Sequence, residues 1–214
     1  MAELDRLLDA AEEVIQGEGL GRLRLEAVAR RAGMSKGGLL HHFPSKDALV
    51  DALMARRTRE WRAEVEAAIA AQPPGPGRVP RAILALCLSS AAEWSEARRR
   101  SCQVCLTALV HDPQRVEPMR ALNRELQARL AADRLPPGVG DAVLLAVDGL
   151  WFGWLLGVAE PTPARLEQVR AALERWVADT EGQMSERSPS RSRVRARRSK
   201  AAPRRAGKRK GGRA

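Results

Sequence analysis

One stretch constrains this chain more than any other: Leu25 to Leu49, LEAVARRAGMSKGGLLHHFPSKDAL. Leu25, Val28, Ala29 and Ala32 fall at i, i+3, i+4 and i+7, the apolar face of a short helix. Gly33 follows and can close that helix in the left-handed conformation without a Cβ clash. Ser35 stands where a hydroxyl would cap a second helix, which carries Leu39 and Phe43 four apart on one inward face. Pro44 ends it, because proline disfavours helical geometry at the residue before it. Ser45 then caps a third helix, with Asp47 placed favourably in its first turn. Helix, four-residue turn and short second helix make a helix-turn-helix, whose second helix enters a DNA major groove.

Charge supports that reading once it is located. The chain carries a net +11, but residues 187–214 hold 13 of its 37 Lys and Arg and no acid. The first 186 residues are left with 24 basic and 26 acidic side chains, close to neutral. Within 22–46, Arg22, Arg24, Arg30, Arg31, Lys36 and Lys46 face a single acid, Glu26. A focused positive patch on the proposed reading unit is what phosphate attraction requires.

At these residues the sequence resembles the TetR-type transcriptional regulators. The likeness rests on Leu7 to Ile15, Gly19, Val28-Ala29-x-x-Ala32-Gly33, Ser35-Lys36-Gly37 and His42-Phe43-Pro44-Ser45-Lys46. The chain departs from the family at Leu40, where a Tyr is usual, and at Arg24, where a Thr or Ser commonly opens the helix. The resemblance implies a ligand-released homodimeric repressor on a palindromic operator in double-stranded DNA, with an unidentified small-molecule effector. The expected DNA contacts are Arg24, Ser35, Lys36, Gly37, Gly38, Leu40, His41, His42 and Lys46. Gly37 and Gly38 lower helix propensity but let the backbone approach the duplex. Lys46 at a helix N-terminus suits phosphate. Leu40 offers only apolar contact, for example to a thymine methyl. His42 either touches phosphate or packs beside Phe43.

The rest of the chain reads as helix throughout, so the expected fold class is all-α. Leu4, Leu7, Leu8, Ala11, Val14 and Ile15 form one stripe over 4–16. Further helices are expected over 46–71, 79–95, 97–111, 113–133, 139–158 and 163–181. PPGPGRVP at 73–80 and LPPGVG at 135–140 are breaks. The expected domains are a DNA-binding unit over 1–47, a ligand-binding and dimerisation domain over 48–184, and a basic tail over 185–214. The tail is too polar to offset chain entropy and is expected to be disordered.

In the second domain, Trp94, Met119, Trp151, Phe152 and Trp154 are the bulky apolar candidates for an effector pocket. Cys102-x-x-Cys105 would share one helical face and adds two pocket candidates. It fits either ordinary core or a thiol- or metal-responsive site with Cys87 and His111 nearby. Gly149, Gly153 and Gly157, four apart, suggest a close helix crossing at a subunit interface. Leu166, Val169, Leu173 and Trp176 give the last helix a stripe to complete a four-helix contact. Residues 142–159 carry one charge, Asp148, and read as a buried core or interface helix rather than a membrane span.

Three cysteines make no secreted disulfide framework, and the acidic, amphipathic N-terminus is unlike a signal peptide, so a cytoplasmic protein is expected. No catalytic constellation is visible, and neither an enzyme nor a cofactor or metal is expected. A nucleic-acid binder acting through its tail alone, without sequence preference, is the other class; the basic patch at 22–46 argues against it. The tail can still neutralise phosphates. Truncation after Glu186 is expected to lower affinity for operator and random DNA by a similar factor. It should also flatten the slope of log affinity against log salt in anisotropy titrations, with operator preference kept. Equal slopes for the two proteins would show an idle tail.

Overall fold

The computed structural model describes residues 2–89, 94–96, 98–100, 102–103 and 112–187. They form α1 (Ala2–Glu18), α2 (Leu25–Arg31), α3 (Lys36–His42), α4 (Lys46–Ala71), α5 (Arg78–Leu88), α6 (Glu117–Ala132), α7 (Val139–Leu155) and α8 (Pro163–Arg187). Short 3-10 turns cover Leu20–Arg22 and Pro113–Val116. No strand occurs among the described residues, and none of their helices is long and apolar enough to cross a membrane. Cys105, His111 and residues 188–214, with the expectations placed on them, lie outside this set.

Two hydrophobic cores organise these helices. The first gathers Leu7, Ile15, Leu23, Val28, Leu39, Phe43 and Leu49, from α1 through the first turns of α4. The second gathers Val65, Leu84, Leu126, Val143, Leu166 and Val177, from the far end of α4 through α8. Helix α5 is central to the second core and packs on α4, α6, α7 and α8. The expected domain boundary at 47/48 falls inside the first turn of α4. Beyond it, Val50, Leu53 and Met54 still belong to the first core. Polar contacts reinforce this junction. Arg56 on α4 reaches Asp9 at 2.6 Å and Glu12 at 2.8 Å on α1, and Arg100 donates to the carbonyls of Gln16 and Gly17 at the end of α1.

Helix ends differ from the periodicity where hydrogen bonds intervene. Helix α5 stops at Leu88, short of the expected 95. Proline 118 has no N–H to give the Gln114 carbonyl. The Glu117 N–H takes that acceptor instead, so 113–116 is a 3-10 turn and α6 begins at Glu117. Helix α7 ends at Leu155 rather than 158. Gly157 turns left-handed (φ +69°), and the Gly157 and Val158 N–H groups close on the carbonyls of Trp154 and Gly153. Helix α8 runs on to Arg187, so Ser185 to Arg187 are helical rather than part of a disordered tail.

The α4–α5 loop is pinned by a residue far away in sequence. Asp133, 8% exposed in the α6–α7 loop, accepts from the Gly77 and Val79 N–H groups at the start of α5. These are the orphan amides that every helix N-terminus must satisfy, and here a carboxylate satisfies them. Asp133→Ala leaves both amides buried without a partner. It should lower the unfolding free energy by about 1–3 kcal/mol in urea titrations, with helical content retained.

Candidate nucleic-acid interface

Helix α3 owes its orientation to two caps and two anchors. Ser35 Oγ accepts from the Gly38 N–H at 3.1 Å and Ser45 Oγ from the Ala48 N–H at 3.1 Å, so both helix starts are fixed. Leu39 and Phe43 are buried in the first core. Their burial turns Lys36, Gly37, Leu40 and His41 outward, and all four are exposed. Lys46, exposed in the first turn of α4, and Arg24, exposed at the start of α2, flank this face. Arg24 makes no side-chain cap to α2, where a Ser or Thr would make one. Lys36, Gly37, Leu40 and His41 thus share the exposed side of α3, while Gly38 and His42 are half-buried. His42 is half-buried, 3.6 Å from the Glu3 carboxylate and edge-on to His41 at 5.6 Å. It faces the start of α1 more than the open surface.

The two helix glycines, alike in sequence, differ in space. A Cβ on Gly38 would lie 2.9 Å from Met34 Cγ, so packing inside the protein accounts for that glycine. A Cβ on Gly37 would meet nothing nearer than Ser35 Oγ at 4.0 Å. No described contact within the protein requires glycine at 37, so the exposed start of α3 is bare of a side chain there.

Lys36 is already engaged. Its ammonium lies 2.7 Å from Glu26 Oε1, and this hydrogen bond is the main cause holding the Glu26 carboxyl below its usual range. A phosphate at Lys36 would share the ammonium with Glu26 or compete with it. A second cluster stands behind the interface: Arg115 reaches Asp47 at 3.0 Å and Asp51 at 3.5 Å on α4. Neither pairing was visible in the sequence, because both join residues that only the fold makes neighbours.

Comparison with known proteins agrees with this geometry. A family model described as bacterial regulatory proteins, tetR family, matches residues 7–53. A second, described as tetracyclin repressor-like, C-terminal domain, matches 77–178. The HTH-type transcriptional regulator BetI of Burkholderia lata is 30% identical over 178 residues, spanning 78% of this chain and 91% of that protein. The chain belongs to the TetR family. Two solved structures share its fold. A TetR-family member from Streptomyces coelicolor is 24% identical, covering 82% of this chain and 98% of its own, at a TM-score of 0.60. The multidrug binding protein EbrR complexed with malachite green is also 24% identical, covering 80% and 96%, at a TM-score of 0.57. This TetR protein is therefore a DNA-binding transcriptional regulator, and its helix-turn-helix is the unit described above.

The helical domain of this TetR regulator holds a cleft between α4, α5, α6 and α7. Trp61, Ile69, Ile83, Cys87, Leu126 and Asp148 are among its lining. The sequence singled out other residues for the pocket. Trp94 and Trp154 pack edge to face at 5.2 Å, Trp154 is buried, and Trp94 donates to the Cys87 carbonyl. They buttress the cleft instead of lining it. Met119 and Trp151 are half-buried away from the lining, with Trp151 against Phe152 at 5.0 Å. Cys102 is buried, which pushes its thiol up against the pull of Arg57 and Arg98, the opposite of an activated thiolate. Two of the cleft's own lining residues carried a signal in the sequence: Trp61 on the α4 stripe and Asp148, the single charge of 142–159.

The interface residues also sort differently. Leu166 is buried in the subunit's own core, and Val169 and Leu173 pack against that core. Gly157 lies beyond α7, and a Cβ on Gly153 would touch Ala159 at 3.4 Å. Gly149 faces open space and Trp176 is exposed. Leu145 and Phe152 on α7 and Leu156 at its C-cap are exposed as well. Residues 145, 149, 152 and 156 follow helical spacing and define one outward apolar face.

Lys36→Ala should weaken operator binding. Glu26→Gln, which releases Lys36 from its internal partner, should strengthen it by about two- to fivefold, the scale of one exposed ion pair. Fluorescence anisotropy at low and high salt reads both; an unchanged affinity in each variant would remove Lys36 from the interface.

Proposed function

We propose that the protein is a homodimeric repressor that leaves its operator when a small molecule enters the helical domain. The observation that carries this reading is the continuity of α4. Its first turns lie in the DNA-binding core through Leu49 and Leu53, and its far end lines the cleft through Trp61 and Ile69. Movement of α4 at the cleft therefore displaces the reading unit. Arg24, Ser35, Lys36, Gly37, Leu40, His41 and Lys46 would hold phosphates and base edges, with Gly38 and His42 supporting α3 from within. EbrR was solved with malachite green, which favours an organic effector.

Dimerisation follows from unpartnered apolar surface. Leu145 is 68% exposed and Leu156 62%, Phe152 lies between them in sequence, and Trp176 on α8 is exposed as well. A second copy placed on the same face of α7 and α8 would bury it in a four-helix contact. Two reading helices about 34 Å apart would then meet successive major grooves of a palindrome.

Selection of bound fragments from random DNA should yield a two-fold symmetric site, and a metabolite panel should contain a compound that releases it. Phe152→Glu, which places a charge in the proposed contact, should turn the dimer into a monomer in analytical ultracentrifugation and lower operator affinity by tenfold or more, roughly the scale of losing the second half-site. A symmetric site bound equally well by a monomer would overturn the dimer.

A further inference from the structure

Asp148 is the only charged residue among the twelve that line the cleft between α4, α5, α6 and α7. The others are aliphatic, apart from Trp61 and Cys87. Among the described residues, no hydrogen bond or ion pair meets the Asp148 carboxylate. Burial alone acts on it, raising its carboxyl above the usual range. A carboxylate part-withdrawn from water without a partner costs stability. Nothing in the packing of α7 calls for it: the neighbouring buried positions are Val143, Leu144 and Val147.

We propose that this cleft binds a small organic cation, an ammonium or similar group on an apolar body, with Asp148 as its counter-charge. The proposal rests on the reading of the helical domain as the effector domain. The chemistry of the lining selects among ligand classes. A neutral apolar ligand would seal the cleft over an unpaired carboxylate and increase its desolvation. An anion would add repulsion. A cation restores a partner while its apolar body covers Val65, Ile83 and Leu126. Trp61 adds to the preference. It already holds the Arg57 guanidinium 5.9 Å from its ring centre, the arrangement in which an indole face attracts positive charge. Arg57 does not cancel Asp148, since its own charge is met by Glu64 at 3.2 Å and Glu60 at 3.6 Å.

Size adds a second consequence. The cleft spans about 350 Å³ with its open mouth included, and only a small part of that space is enclosed. An organic cation enters by parting α4 from α5 and α7, which couples occupancy to the helix that carries the reading unit.

The test uses two probes of one shape. Phenyltrimethylammonium carries a positive charge; tert-butylbenzene is its neutral isostere. Isothermal titration of the full chain should show the cation binding more tightly than the neutral probe. Asp148→Asn, which keeps the shape and removes the charge, should weaken cation binding by about tenfold or more, the scale of losing one charge-assisted contact, and leave the neutral probe unchanged. Asp148→Glu, which restores the charge, should recover cation binding. Circular dichroism establishes that each variant is folded. Failure of both probes to bind, equal binding of the two, or undiminished cation binding by Asp148→Asn would overturn the proposal. Operator affinity measured on the same proteins without any probe separates the two claims. A protein that binds its operator but ignores the cation remains a regulator with a different effector.

Discussion

Helix α4 belongs to both hydrophobic cores of the chain, and the remaining architecture follows from that shared membership. Its 26 residues extend about 39 Å at the rise of an α-helix. One end contributes Leu49, Val50, Leu53 and Met54 to the DNA-binding core, and the other contributes Val65 to the helical core. A helix so anchored cannot be displaced at one end alone without bending or disturbing a packed core. The Arg56 pairs with Asp9 and Glu12 tie the first anchor more firmly, because the guanidinium is largely buried and each carboxylate satisfies part of its fork. Burial is the largest influence on Arg56, acting against its charge; the hydrogen bonds to Glu12 and Asp9 outweigh it and leave the guanidinium more firmly protonated.

The features legible in the sequence are those set by neighbours along the chain. Ser35 and Ser45 cap the helices expected of them, Gly33 adopts the left-handed turn at φ +65°, and α4 spans 46–71 as its stripe implies. Each depends on residues within a few positions. What escaped depends on distant partners. The start of α5 is set by Asp133, more than fifty positions away. The apolar stripe of α8 reads equally well as an inner or outer face. Only the placement of α5 against it decides that Leu166, Val169 and Leu173 turn inward while Trp176 stays outside. The glycine spacing of α7 misleads for a similar reason: Gly157 is used to end the helix and so leaves the row it seems to continue.

Residue size separates the expected pocket residues from those that line the cleft. Large aromatic residues attract attention as ligand contacts, but Trp94 and Trp154 spend their surface on each other. The cleft is lined mainly by medium-sized aliphatic residues, which sequence reasoning assigns to core by default. A lone charge inside an apolar helix is a better guide than a cluster of tryptophans. Hydrophobic burial does not select an aspartate, so its presence needs a separate cause.

Electrostatic pairing also sets how the reading unit is held before DNA arrives. Arg115 belongs to the 113–116 turn of the helical domain, yet it is met by Asp47 and Asp51 on the first two turns of α4. Its neighbour Val116 packs against the DNA-binding core. The turn therefore grips α4 beside Lys46, at the end opposite the cleft. That turn ties the helical domain to the reading unit at a second place besides the continuous α4, through Arg115 on Asp47 and Asp51 and through Val116 in the first core. A displacement of the helical domain would reach the reading unit through both connections, whereas Leu39, Phe43 and the two serine caps hold α3 only to its own core.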